Sequence, residues 1–230
     1  MKTIGLLGGM SWESTTEYYR VMNETVREKL GGLHSARILI LSVDFAPLAD
    51  HLADGNWPAL EKELSGAACS LVKAGADFLV LATNTMHQVA GPLEKAAGAP
   101  LLHIADAAGD ELIRRHCKKV GLLGTRPTME MDFYLGKLRE RGLDVCVPEE
   151  EDRAAIHRII FDELCRGIVS DDSRWASLAI INRLAGCGAG AILLACTELG
   201  LLFRPEDTDI TLLDTALLHA RAAALKALNL

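Results

Sequence analysis

The sequence predicts an α/β protein of two pseudo-symmetric lobes, each a mostly parallel sheet flanked by helices. Three observations carry that expectation. Short apolar runs of strand length alternate with amphipathic helical stretches along the whole chain. Short sequences from the first half return in order in the second. The 230 residues, 50% hydrophobic and 24% charged with 20 glycines and 7 prolines, have the make-up of a globular chain able to bury a sizeable core.

Strands are expected at 3–7, 37–43, 78–82, 101–104, 119–123, 191–195 and 210–213, where apolar runs such as Ile4-Gly5-Leu6-Leu7 and Ile38-Leu39-Ile40-Leu41 are short enough for buried parallel strands. The first helix is expected at 14–30, opened by Ser14-x-x-Glu17, a capping box in which each side chain satisfies an orphan backbone N–H. Further helices fit 57–74, 86–97, 107–117, 130–141, 153–167, 171–185 and 214–228.

The internal echo sets the organisation. Gly5-Leu6-Leu7-Gly8-Gly9 returns as Gly121-Leu122-Leu123-Gly124-Thr125, an offset of 116. Residues 75–83 return as 188–196, an offset of 113 that places Thr83 opposite Cys196. A third echo sets Ile104-Ala105-Asp106-Ala107 against Leu212-Leu213-Asp214-Thr215. A single match of Gly, Ala and Leu runs is commonplace; three in order favour two homologous lobes. They are expected at 1–105, completed by 213–230, and at 106–212, with the active site in the cleft between them. Open α/β sheets place ligands at the carboxyl ends of their strands, which is where the polar residues of both halves fall.

Formal charge is -7, from 24 Lys+Arg against 31 Asp+Glu, which provides no general basic surface for nucleic acid. No apolar stretch approaches the roughly 18 residues of a membrane span. The expected partner is therefore a small molecule, with neither nucleic acid nor membrane. The six cysteines form no CxxC pair and no histidine cluster has zinc spacing, so no metal site or disulfide framework is expected. Most of the thiols read as buried, in a reducing compartment. Met1-Lys2-Thr3 leads straight into a strand without a secretory pattern, which predicts a cytoplasmic protein.

Four segments carry candidate chemistry. The turn Gly8 to Thr15 opens a helix, so its free N–H groups favour an anion such as a carboxylate, with Met10 and Ser11 as the contacts; it is neither GxGxxG nor a P-loop. Thr83-Asn84-Thr85-Met86-His87 leaves a buried strand with neutral donors for a carboxylate or ammonium group, Thr85 also reading as an N-cap. Gly124-Thr125-Arg126 opens the second half, with Thr125 a donor to a carboxylate and Thr128 the expected N-cap of the helix that follows. In Cys196-Thr197-Glu198 the thiol stands at a strand end entering a helix, a setting that lowers a thiol pKa and supplies a base or nucleophile. The competing reading of Cys196 is a packed core thiol; its place in the repeat favours function. Cys69, Cys117, Cys146, Cys165 and Cys187 read as structural. His87 is the histidine beside a proposed site, and His34, His51, His103, His116, His157 and His219 form no motif.

This arrangement resembles the aspartate/glutamate racemase family over nearly the whole chain. The runs Gly5 to Thr15 and Gly121 to Glu130 are particularly similar to its broad bacterial amino-acid racemase branch. The resemblance implies a cofactor-independent, usually dimeric enzyme that uses two cysteines on opposite faces of the substrate α-carbon. Cys196 matches the second; Thr83 stands where the first is expected. Racemases of this branch with threonine there also resemble this chain.

The implied function is pyridoxal-independent racemisation of aspartate or glutamate by Cys196 and Thr83, with no cofactor and no metal, as a homodimer. A threonine hydroxyl is a far weaker acid than a thiol of pKa about 8.5, so the two proton transfers are expected to be unequal. Asn84, Thr85, Thr125 and Thr197 are expected on the α-carboxylate and Glu198 on the ammonium group, with Arg126, Arg158 and Arg166 the basic residues considered for a distal carboxylate. Two alternatives stand beside this reading. An arylmalonate-type decarboxylase of the same superfamily needs one catalytic cysteine, and a catalytically silent amino-acid-binding protein would keep the residues but not the activity.

Overall fold

A computed structural model describes residues 1–204 and 206–230. Among the described residues, eight parallel strands form two four-stranded sheets. The first contains β1 (Ile4–Gly8), β2 (Ile38–Ser42), β3 (Phe78–Leu81) and β4 (Leu101–Leu102) in the order β2-β1-β3-β4. The second contains β5 (Lys119–Gly124), β6 (Asp144–Cys146), β7 (Ala191–Ala195) and β8 (Leu212–Asp214) in the order β6-β5-β7-β8. The central strands β1, β3 and β7 are buried at every position. Both faces being covered by helices removes the polar alternation of a half-exposed strand.

Two compact units result: residues Met1–Ile104 with His219–Leu230, and Ala105–Leu218. The expected return to the first lobe at 213 comes later, because β8 pairs with β7 in the second sheet. In the first unit the core gathers Leu7, Leu48, Leu60, Leu64, Leu79 and Leu81; in the second it gathers Leu123, Met129, Ile156, Ile181, Ile192 and Leu194.

Strand pairing reproduces two of the sequence offsets. Ile4↔Phe78, Gly5↔Leu79 and Leu7↔Leu81 in the first sheet become Val120↔Ala191, Gly121↔Ile192 and Leu123↔Leu194 in the second. The third echo is out of register. Leu79↔Leu101 and Val80↔Leu102 match Ile192↔Leu212 and Leu193↔Leu213, an offset of 111. The counterpart of Asp214 is therefore His103, while Asp106 lies inside the helix Ile104–Arg114.

Helices α1 (Trp12–Leu30), α2 (Phe45–Ala53), α3 (Trp57–Lys73), α4 (Ala90–Ala97) and α5 (Ile104–Arg114) follow the strands of the first sheet. In the second, α6 (Arg126–Glu130), α7 (Asp132–Glu140), α8 (Glu150–Arg158), α9 (Asp171–Gly186) and α10 (Thr215–Leu228) do the same. The segment expected as one helix at 86–97 is a 3-10 turn, Thr85–Val89, followed by α4. That expected at 130–141 breaks where Met131 is extended, at φ -93 and ψ 151. That expected at 153–167 passes through a π turn, Ile159–Glu163, which sends the consecutive Ile159 and Ile160 into the core.

Helix α2 and strand β6 carry no prediction, and α6 meets its expected helix at Glu130 alone. Helix α2 starts at Asp44, whose carboxylate accepts the Ala46 N–H at 3.2 Å, and its Pro47 sits in the first turn where no intrahelical N–H is needed. Strand β6 has only three residues, too few for a periodic signal.

Candidate active site

In the first unit the turn after β1 is closed by its own side chains. Gly9 has φ +93, and a Cβ there would strike the backbone of Val43, so only glycine fits. Its N–H donates to Thr15 Oγ1 at 2.8 Å, and Thr15 Oγ1 donates to the Ser11 carbonyl at 2.9 Å. Ser11, rather than Ser14, caps α1; its hydroxyl accepts the Ser14 N–H at 3.4 Å and lies 2.9 Å from the Ser14 hydroxyl. The predicted N-cap is thus displaced by three residues, because the helix already begins at Trp12. Met10 is buried in the core of the unit.

Thr83, Asn84 and Thr85 leave β3 together and all three are buried. Thr85 does not cap a helix: it begins the 3-10 turn, and Asn84 occupies the cap position without a side-chain cap bond. His87 lies over the same turn. Its Nδ1 is 2.7 Å from the Thr83 carbonyl, which only accepts, so Nδ1 carries the proton. The other ring nitrogen, Nε2, accepts the Ile104 N–H at 3.2 Å. The two bonds fix a neutral imidazole.

Two histidines that the sequence left without a motif, His103 and His219, gather against His87. The His87 ring centroid is 4.5 Å from that of His103 and 5.6 Å from that of His219. His219 donates from Nε2 to the Leu102 carbonyl at 2.8 Å and accepts the Tyr18 hydroxyl at Nδ1, 2.9 Å away. Burial, with His87 adding to it, pulls the His219 pKa down to about 3, so this ring is neutral as well. Spacing along the chain carries no sign of this cluster, whose three histidines come from separate segments.

In the second unit Cys196, Thr197 and Glu198 leave β7 at the position matching Thr83, Asn84 and Thr85. Cys196 is 8% exposed, and its Sγ donates to Glu198 Oε2 at 3.1 Å; the Thr197 hydroxyl donates to the same oxygen at 2.7 Å. This overturns the expected thiolate. Burial, and then the Glu198 carboxylate, hold the Cys196 pKa well above the ordinary thiol range. The following 3-10 turn, Leu199–Leu201, is too short to provide a strong helix dipole. Cys196 rests as a thiol, hydrogen-bonded to a carboxylate able to take its proton. Cys165 and Cys187 are exposed and Cys69, Cys117 and Cys146 only partly covered, contrary to the expectation that most thiols are buried.

Thr125 is the N-cap residue of α6, and Thr128, expected in that role, lies inside the helix with its Oγ1 3.1 Å from that of Thr125. Arg126 is committed to Glu130 at 3.2 Å and Glu150 at 3.7 Å. Arg166 faces Asp162 at 3.9 Å, and Arg158 is exposed. None of the three is a buried cation awaiting a carboxylate. A cavity of about 450 Å³ in this unit, lined in part by Leu194, Phe203, Ile210 and Asp214, contains none of the predicted site residues. Among the described residues no group of three or more His, Cys, Asp or Glu could hold a metal ion, and no helix is long and apolar enough to cross a membrane.

The family profile for Asp/Glu/Hydantoin racemase matches residues 7–223. The chain belongs to this family. A Yersinia pestis protein provisionally named an Asp/Glu racemase has a solved structure that is 48% identical, with a TM-score of 0.92 over 99% of this chain and 100% of that one. An aspartate racemase homologue from Pyrococcus horikoshii is 35% identical with a TM-score of 0.84, over 99% of each chain. The broad specificity amino-acid racemase RacX of Bacillus subtilis is 25% identical over 222 residues, 95% of each chain. These relatives are named racemases, consistent with an isomerase of the amino-acid racemase class, and the two parallel four-stranded sheets match the two-lobed fold of the solved structures.

Proposed function

We propose that this protein racemises aspartate or glutamate without pyridoxal phosphate or metal, Cys196 exchanging the α-proton on one face and Thr83 serving the other. The observation that carries the reading is the Cys196–Glu198 hydrogen bond of 3.1 Å at the strand end that matches Thr83 in the repeat. A buried thiol poorly disposed to ionise becomes a base only if its proton has somewhere to go. Glu198 supplies that acceptor. As Sγ takes the α-proton, the thiol proton passes to Glu198, and the reverse transfer returns a proton to the α-carbon. On this reading Glu198 is a proton acceptor rather than the holder of the α-ammonium group. Asn84, Thr85, Thr125 and Thr197 contribute neutral donors to the α-carboxylate, where charge grows as the carbanion forms; Met10 and Ser11 contribute backbone N–H groups.

One observation favours a second reading. Only one of the two matched strand ends carries a thiol, and a decarboxylase needs a single protonation. Single enantiomers of aspartate and glutamate, followed by chiral chromatography, should yield the opposite enantiomer without CO2. CO2 release from an arylmalonate with no inversion of either amino acid would make the protein a decarboxylase. Saturable binding with neither reaction would make it a silent binding protein.

A further inference from the structure

We propose that His87 is a positioning residue for the threonine arm, its neutral imidazole setting where the Thr83 hydroxyl stands. The inference rests on the racemase reading and extends it to a side chain that touches no reacting atom. His87 holds the backbone of Thr83 itself: Nδ1–H donates to the Thr83 carbonyl at 2.7 Å, while Nε2 accepts the N–H of Ile104, the first residue of α5, at 3.2 Å. One ring thereby ties the end of β3 to the start of the helix that follows β4. Thr83 begins the departure from the strand, so a rotation of its peptide unit moves its hydroxyl directly.

The ring is in turn held from behind. His103 packs against it with centroids 4.5 Å apart, and His219 from α10 meets it edge-on at 5.6 Å. His219 is itself fixed by Tyr18 of α1 and the Leu102 carbonyl. His87 and His219 are uncharged in the arrangement described, and a doubly protonated His87 would turn Nε2 into a donor facing the Ile104 N–H. The second unit has no counterpart to this imidazole. The offset of 113 that matches Thr83 with Cys196 matches His87 with Gly200, and Cys196 is held instead through its own side chain by Glu198. The weaker acid is the one given a rigid backbone, as expected if its small hydroxyl must be placed to compensate for poor acidity.

The test separates the two faces. In deuterated water the wild-type protein should incorporate solvent deuterium into the enantiomer whose α-hydrogen faces Cys196, and should also invert it. His87→Phe keeps an aromatic ring but removes both hydrogen bonds. Inversion should fall by about 100-fold, the effect of a misplacement near 1 Å, mainly in kcat, while deuterium wash-in on the Cys196 face stays within about threefold of wild type. Equal loss of both, tracking a lower Tm, would reduce His87 to a structural residue and overturn the proposal; so would no change in either.

Should His87→Phe fail to fold, His87→Asn and His87→Gln carry the comparison. Asparagine keeps a donor near Nδ1 and should retain more inversion than glutamine; the reverse order overturns the proposal. A wild-type protein that neither exchanges nor inverts aspartate or glutamate would overturn the racemase reading and this role with it. An active wild type with an indifferent His87 would overturn this role alone.

Discussion

The two strand ends that the repeat makes equivalent are built from opposite chemistries. After β3 stand a hydroxyl and imidazoles: Thr83, with His87 and His103 against each other. After β7 stand a thiol and carboxylates: Cys196 bonded to Glu198, then Gly200 with Asp214 close by. By the offsets that strand pairing establishes, His87 matches Gly200 and His103 matches Asp214. Glycine at 200 leaves room for a carboxylate, since a Cβ there would lie 2.6 Å from Asp214 Oδ2. Asp214 is pinned by accepting the N–H groups of Ala216 at 2.8 Å and Leu217 at 3.1 Å. Tyr18 and Tyr134, related by the offset of 116, are both buried, and Tyr18 bonds His219. A shared backbone frame thus supports one strand end that carries carboxylates and another that carries imidazoles, the difference on which the proposed acid–base pair and threonine arm rest.

The comparison breaks most sharply at Cys196. Cys196→Ser removes the thiol but keeps a small polar side chain, so inversion should fall by about 10³-fold, within the range of general acid–base catalysis, with Tm changed by no more than a few degrees. Turnover near wild type would remove Cys196 from the mechanism, and loss of the folded state would make it a packing residue.

Glu198→Gln should cost about 10- to 100-fold in kcat, a smaller loss because other routes for the thiol proton remain. It also changes the thiol in a stated direction. The carboxylate raises the Cys196 pKa by charge and by accepting its hydrogen bond, so its removal lowers that pKa. Site-resolved alkylation should show Cys196 becoming reactive at lower pH in Glu198→Gln than in wild type, with the exposed Cys187 as internal reference. An unchanged profile would mean that burial alone controls the thiol.

The strand end that carries the imidazoles should be acid-sensitive through His219. Its folded pKa of about 3 lies below the ordinary 6.5, so the folded state favours the neutral ring. That contribution to stability is fully present above pH 6.5 and is lost as pH falls from there toward 3. By about pH 4.5 the loss is of order 2–3 kcal/mol, at about 1.4 kcal/mol per pH unit. His219→Phe should be less stable than wild type at pH 7, having lost two hydrogen bonds, and the gap should narrow on acidification. A constant gap in urea unfolding between pH 7 and 4.5 would show that His219 is not held neutral.

Much of this frame is legible in the sequence, for identifiable reasons. Buried parallel strands leave continuous apolar runs, and the offsets 116 and 113 are the register of β1 with β3 and of β5 with β7. The third offset fails because a two-residue strand, Leu101–Leu102, leaves too little pattern, and the aspartates at 106 and 214 align by eye although β8 matches His103 with Asp214. Thr83, Cys196 and Glu198 are visible because polar residues at buried strand ends are conspicuous. The protonation of Cys196 is not visible, since local sequence shows a strand end but not the enclosure of the thiol. Nor is the histidine cluster, assembled by pairing of β4 and docking of α10 over separations as long as the 201 residues between Tyr18 and His219.

The smallest effect sharpens the comparison most. Thr83→Cys gives both matched strand ends a thiol while leaving Glu198 on one side only. Enantiomers have equal free energy in water, so kcat/KM must match in the two directions for every variant, and asymmetry appears only as a division between kcat and KM or as exchange without inversion. In wild type, wash-in on the Cys196 face should outrun inversion, and the opposite enantiomer should show little wash-in before it inverts. Thr83→Cys should bring exchange and inversion within a few-fold of each other from both enantiomers, because a thiol is a far stronger acid than a hydroxyl. A residual asymmetry would measure what Glu198 alone contributes. Equal exchange and inversion already in wild type, unchanged in Thr83→Val, would remove Thr83 from the proton path and leave the second face to another donor.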